Sequence, residues 1–285
     1  MSEHNVFPTE ELNQRLSNVR SQMVEANVDG VVITIPENIY YLTELDHWGF
    51  FACHLLVVPR EGAMILVCRA MERITIENQV KNARFFGHAD HEDPADYIVS
   101  ALSELNLLNS RIGMEKSSLF LTARLAESIQ AKTPKVEWHD TSNLVSALRM
   151  VKSPLEMEYV RKAAKAADAG MLAAINATRD GASDYEVSAE CSRAMILAGS
   201  EYPGFGPFVR PTSRLGEEHT TWRGEVFRNG EAVFLEIAAA YRKYQAPMGR
   251  LVYVGNAPDG AEKSAQLAID GMKAINSAIK SGAKA

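Results

Sequence analysis

Two residues able to move protons lie close together in the last third of the chain: His219, and Glu236 inside a strongly apolar run. Glu236 sits between Val233-Phe-Leu235 and Ile237-Ala-Ala-Ala240, so a buried strand built from these residues takes its carboxylate inside with it. A buried carboxylate without a partner is costly, and one that persists has either an ion pair or a chemical task. The unspecialised alternative is a structural salt bridge to Arg242 or Arg250. As a chemical group, Glu236 can attack an electrophilic carbon or hold and deprotonate a water. Histidine titrates near neutrality, so His219 can carry a proton to a departing group. Trp222, Tyr241 and Tyr244 surround the pair in sequence and are candidates for the aromatic wall of a cation pocket, with Trp222 favoured. The competing reading of all three is core packing beside a hairpin. Arg250 can clamp a substrate carboxylate or neutralise Glu236. His54, His88, His91 and His139 show no ligand spacing and are read as ordinary.

The elements that must position these residues are a hairpin and the loop before it. Two hydrophobic strands, Ala232 to Ala240 and Arg250 to Val254, are joined by a polar, aromatic-rich turn and bounded by Gly230 and Gly255. The Gly- and Pro-rich stretch from Gly199 to Gly230 reads as the loop that carries His219. Upstream, Ser153 as cap, Pro154 in the first turn and Glu156 after it open a long helix to about Asn176. A second helix, Ser183 to Ala198, follows the break at Gly181, and a last one runs from Asp259 to Ile279 with Leu267, Met272 and Ile275 on its apolar side. The first half is different. An amphipathic helix from Thr9, with Leu12, Leu16, Val19 and Met23 on one face, precedes strands at Val31–Ile35, Leu55–Pro59, Met64–Cys68 and Arg111–Glu115. Helices at Pro94–Leu107 and Thr122–Gln130 alternate with them, which indicates an α/β domain over 1–148, followed by a second domain over 149–285.

Composition narrows the function. At 285 residues, 46% hydrophobic and 23% charged, the chain is an ordinary globular protein long enough for two domains. A net charge of −6 argues against a nucleic-acid surface. No apolar run approaches the roughly 18 to 20 residues of a membrane span, and the N-terminus lacks the basic-then-apolar pattern of a signal peptide. The cysteines, Cys53, Cys68 and Cys191, are widely spaced and odd in number, which fits a reducing compartment, and a cytoplasmic location is expected.

The Val151-Lys-Ser-Pro-Leu-Glu-Met-Glu start, the histidine loop and the Glu236 hairpin, following an α/β domain, resemble the creatinase, prolidase and methionine aminopeptidase (M24) superfamily. The resemblance runs over essentially the whole chain and implies an α/β creatinase-type domain followed by the first part of an α+β "pita-bread" catalytic domain. Phe234-Leu-Glu236-Ile-Ala-Ala-Ala-Tyr241-Arg-Lys-Tyr244-Gln-Ala-Pro247-Met-Gly-Arg250 is similar to the hairpin of ectoine hydrolases, as is Glu218-His219-Thr-Thr-Trp222. Tyr41-Leu-Thr, Trp48-Gly-Phe50 and Val57-Val-Pro59 fit the same subgroup. Metal-dependent members place two aspartates on the hairpin, at positions that here are Glu236 and Pro247. Proline offers no ligand atom, so a dinuclear centre is not expected; Glu236 alone could bind a single ion weakly, and the reading adopted is of a site without metal or cofactor. A carboxylate without metal suits a substrate that is already cationic at the reacting carbon, an amidinium or guanidinium. Hydrolysis of a cyclic amidine, above all ectoine, is the implied activity, with Glu236 and His219 catalytic and Trp222, Tyr244 and Arg250 binding substrate. The resemblance also implies a homodimer in which Trp48 and Phe50 complete the neighbouring subunit's pocket. A creatinase-like amidinohydrolase, an Xaa-Pro dipeptidase and a non-catalytic binding protein are the alternatives. Family members continue into a second half of the catalytic domain, so the chain is read as truncated at its C-terminus.

Overall fold

The computed structural model describes residues 6–283, in two compact units, the first ending at Leu155 and the second beginning at Glu156. In the first unit the chain runs α1 (Thr9–Glu25), β1 (Gly30–Ile33), α2 (Pro36–Thr43), β2 (Leu55–Pro59), β3 (Met64–Arg69), α3 (Arg73–Gln79), β4 (Ala83–His88), α4 (Pro94–Glu104), β5 (Arg111–Met114), α5 (Ala123–Lys132), β6 (Glu137–Asp140) and α6 (Leu144–Met150). The strands form one six-stranded mixed sheet in the order β4-β3-β2-β1-β5-β6. Its central strands are buried on both faces, which is why Val31-Val-Ile33, Leu55-Leu-Val-Val58 and Met64-Ile-Leu-Val67 are unbroken apolar runs.

Five elements of this unit escape a reading by apolar pattern. The segment after β1 is the helix α2, set off by Pro36 at its first position and by Glu115, whose carboxylate accepts from the Thr34 and Ile35 amides and from Asn38 Nδ2. Burial holds the Glu115 carboxyl above its ordinary range. The short helices α3 and α6 and the edge strands β4 and β6 bury too few side chains to show a period.

The second unit contains α7 (Pro154–Ala177), α8 (Asp184–Leu197), β7 (Phe208–Pro211), β8 (Ala232–Tyr241), β9 (Tyr244–Tyr253) and α9 (Ala261–Ala278). Ser183 caps α8 by accepting from the Glu186 amide. Strand β7 forms inside the loop expected to be irregular, because β8 offers it an edge to pair with; the sheet order is β7-β8-β9, all antiparallel. Strand β9 begins six residues earlier than the apolar pattern suggests, and the hairpin turns through Arg242 and Lys243 alone, both at positive φ (49° and 66°). Ala166, Ala167, Met171, Val187, Cys191 and Met195 of α7 and α8 pack against Val209, Val233, Leu235, Ile237 and Ala239 of the sheet. Helix α9 has no buried residue, and its apolar side chains Leu267, Met272 and Ile275 are exposed.

Candidate active site

Register decides what stands beside Glu236. Side chains of paired residues share a face, and neighbours along a strand alternate. Glu236 pairs with Phe208 of β7 on one side and with Gly249 of β9 on the other. Phe234, two residues along, pairs with Arg210 and Leu251. Glu236, Phe208, Phe234, Arg210 and Leu251 therefore occupy one face of the sheet, while Val233, Leu235 and Ile237 point to the helices. The ring of His219 lies 5.6 Å from the ring of Phe208, which is stacked at 5.2 Å on Phe205. His219 and Glu236 thus flank the same phenylalanine. Glu236 is half-buried and takes no hydrogen bond or ion pair among the described residues. On its β9 side the paired residue is Gly249, which has no side chain; an added Cβ there would meet its nearest neighbour, Phe234 Cζ, at an ordinary 3.5 Å.

The loop that carries His219 is held at both ends by buried arginines. Before the histidine, Arg210 donates through Nη1 to the Glu217 carbonyl (2.9 Å) and the Leu215 carbonyl (3.4 Å), and the same nitrogen lies 2.8 Å from Glu218 Oε2. Arg210 thereby holds the exposed Glu218 carboxyl below its usual range. Its guanidinium rests 4.6 Å above the Phe234 ring. After the histidine, Arg214 donates to the Thr221 carbonyl (3.0 Å) and to Asp184 Oδ2 (2.9 Å). Its Nε comes within 2.6 Å of Glu225 Oε1, an ion-pair contact whose angle falls short of a hydrogen bond. Asp184, at the start of α8 and fully buried, also accepts from the Arg223 and Gly224 amides. His219 itself sits in the left-handed region, φ 54°.

Of the residues expected at the site, the sheet brings His219 and Glu236 together around Phe208 and places the rest elsewhere. Arg250 pairs with Leu235 and so belongs to the opposite face from Glu236; its Nη1 donates to the Gly249 carbonyl. Neither the clamp nor the neutralising role expected of it reaches Glu236. Tyr244 pairs with Tyr241, also on the opposite face, and its hydroxyl donates to Glu156 Oε1 of α7 at 2.7 Å. Trp222 packs against the core between sheet and helices and donates its indole N–H to the Pro207 carbonyl at 2.7 Å. Phe208, Arg210, Arg214 and Asp184 have no signal in the sequence beyond their types; the pairing of β7 with β8 reveals the first two, and the buried Arg214–Asp184 contact the others.

In the first unit, Trp48 and Phe50 lie on a 3-10 turn, with rings 5.0 Å apart, and Phe50 continues at 5.4 Å to Phe120. Trp48 and Phe51 are 63% and 71% exposed, so the turn presents an aromatic ridge to solvent. A histidine pair braces it from within: His47 Nε2 is 3.0 Å from His54 Nδ1, and His47 Nδ1 accepts from the Gly49 amide. Burial lowers the affinity of both rings for a proton, His54 to a pKa of about 3.

These features define a creatinase-type α/β unit followed by a catalytic-type α+β unit. Residues 15–151 match the Creatinase/Prolidase N-terminal domain and residues 158–285 the Metallopeptidase family M24. The chain is 28% identical to the ectoine hydrolase of Halomonas elongata, over 94% of this chain and 71% of that protein. It is 23% identical to the Xaa-Pro dipeptidase of Pyrococcus furiosus, over 95% of this chain and 73% of that one. Among solved structures, the prolidase of Thermococcus sibiricus superposes with a TM-score of 0.82 at 19% identity, covering 94% of this chain and 72% of its own. The protein belongs to the creatinase/prolidase-like M24 superfamily of hydrolases.

The family description implies a metal. On the face that carries Glu236, the donors are that carboxylate and the imidazole of His219; the residue opposite Ala238 is Pro247, which has no donor atom. Among the described residues no three of His, Cys, Asp and Glu come together as a ligand set. The residues described do not fit a metal centre.

Proposed function

We propose that the protein hydrolyses a C–N bond in a substrate that is cationic at the reacting carbon, a cyclic amidine of the ectoine type. One observation carries this reading: Glu236 stands half-buried on an aromatic face, beside Phe208, with no cation among the described residues paired to it. An amidinium supplies the missing charge and a flat surface for Phe208. Hydrolysis adds water across the ring C–N bond. The hydroxyl goes to the carbon between the two nitrogens and the proton to the departing nitrogen, which opens ectoine to an N-acetyl-diaminobutyrate. Glu236 either forms the first C–O bond itself, with water displacing it from that carbon after the ring C–N bond has broken, or takes the proton from the attacking water; in both routes His219 returns a proton to the leaving nitrogen. The similarity to an ectoine hydrolase supports this substrate. The turn that carries Phe50, with Trp48 and Phe51 exposed, supports a homodimer in which a second copy uses that turn.

The test is turnover of ectoine by protein exhaustively treated with chelator, alongside Glu236→Gln. The amide keeps the shape and removes the charge and the nucleophile, so a loss of roughly 10² to 10⁴-fold is expected, with no effect of chelation. Cleavage of an Xaa-Pro dipeptide that returns with manganese, together with no turnover of ectoine, would overturn the proposal in favour of a metallopeptidase.

A further inference from the structure

We infer that Arg210 and Arg214 are positioning residues, a two-armed clamp that fixes where His219 stands against the Phe208–Glu236 face. The inference rests on the reading of His219 as the proton carrier.

The 215–221 segment of the loop between β7 and β8 has little apolar surface of its own to hold it, whereas beyond it Trp222 and Phe227 pack into the core. Leu215 is half-buried, and Gly216, Glu218 and His219 are exposed. What fixes it is polar. Arg210 gathers two carbonyls and one carboxylate of 215–218, and Arg214 reaches Thr221, Asp184 and Glu225 on the far side. Both guanidinium groups are almost fully removed from water, at 4% and 3% exposure. Such burial is a poor way to gain stability, since apolar replacements of buried ion pairs are often neutral or stabilising. In Arg210 the cost is visible: Nε is buried with no hydrogen-bond partner. The planar fork of Arg214 does give direction, because Nη1, Nη2 and Nε each take a separate acceptor, Thr221, Asp184 and Glu225, whereas Arg210 gathers its three acceptors at Nη1. Arg210 is also the residue that joins loop and site, since its guanidinium covers Phe234, the next residue along the face from Glu236. Between the two arms His219 is left in a left-handed backbone conformation that non-glycine residues adopt only where the surroundings impose it.

The experiment uses the whole chain and compares wild type with Arg210→Met and, should that variant not fold, Arg210→Lys. Amide hydrogen exchange over 215–224 and the His219 imidazole resonances report the loop without reference to catalysis; steady-state kinetics on ectoine report the site. With the clamp released, exchange in 215–219 quickens while the hairpin amides keep their protection, and the His219 resonances shift. Because a misplacement of about 1 Å costs on the order of 10²-fold, kcat falls by that order with KM little changed. Unchanged exchange and unchanged His219 resonances in a folded variant refute the clamp. His219→Gln separates the two readings: if it turns over ectoine normally, the role of His219 fails, and the exchange and resonance data alone still decide the clamp.

Discussion

Lowering the pH from 7.5 to 5.0 should cost the first unit about 2 kcal/mol of stability through His54 alone. The ring is 5% exposed, its Nδ1 faces His47 Nε2 at 3.0 Å, and its Nε2 is buried with no partner. Burial, and secondarily the neighbouring His47, lower its pKa from 6.5 to about 3. A depressed pKa means that the folded state refuses a proton the unfolded chain accepts. The stability is therefore fully present above pH 6.5 and is lost progressively as pH falls from there towards 3. Between pH 7.5 and 5.0 the difference in proton uptake integrates to about 2 kcal/mol. Urea unfolding followed by tryptophan fluorescence at the two pH values measures it, in wild type and in His54→Leu. The substitution carries its own packing cost, but that cost is the same at both pH values and cancels. The variant should lose about 2 kcal/mol less than wild type on acidification. Parallel losses in the two proteins would show that His54 titrates normally and that its burial is not what the geometry indicates.

Gly249→Val should fold, because the nearest atom to an added Cβ is Phe234 Cζ at 3.5 Å, yet it places a side chain at the position paired with Glu236. Melting within a few degrees of wild type, with at least a tenfold lower kcat/KM on ectoine, is expected, and unchanged kinetics would place the substrate elsewhere; tenfold corresponds to about 1.4 kcal/mol. For the homodimer, mixing inactive His219→Ala with Trp48→Ala should restore part of the activity through one intact hybrid site. A monomer by sedimentation with full activity rules the arrangement out.

Sequence alone carried the class of the fold and singled out His219 and Glu236 as candidates for its chemistry. Apolar runs bounded by glycine and proline, and the Ser153-Pro154-x-Glu156 helix start, are local signals set by backbone geometry and solvation, so they survive without knowledge of the partner elements. An acid among seven apolar neighbours is equally local, which is why Glu236 stands out. The faces of the hairpin were not legible. Parity puts Tyr244 and Arg250 opposite to Glu236 once the turn is located at Arg242-Lys243. Two-residue turns of positive φ are normally announced by glycine or asparagine, and this one has neither. Phe208 and Arg210 are placed on the face of Glu236 only through pairing of β7 with β8, a contact across more than twenty residues that no local pattern encodes. The same holds for His47 and His54, whose spacing is unremarkable in a chain and whose rings meet only because the 3-10 turn folds one over the other. Local chemistry named the groups; the register of three strands decided which of them face one another.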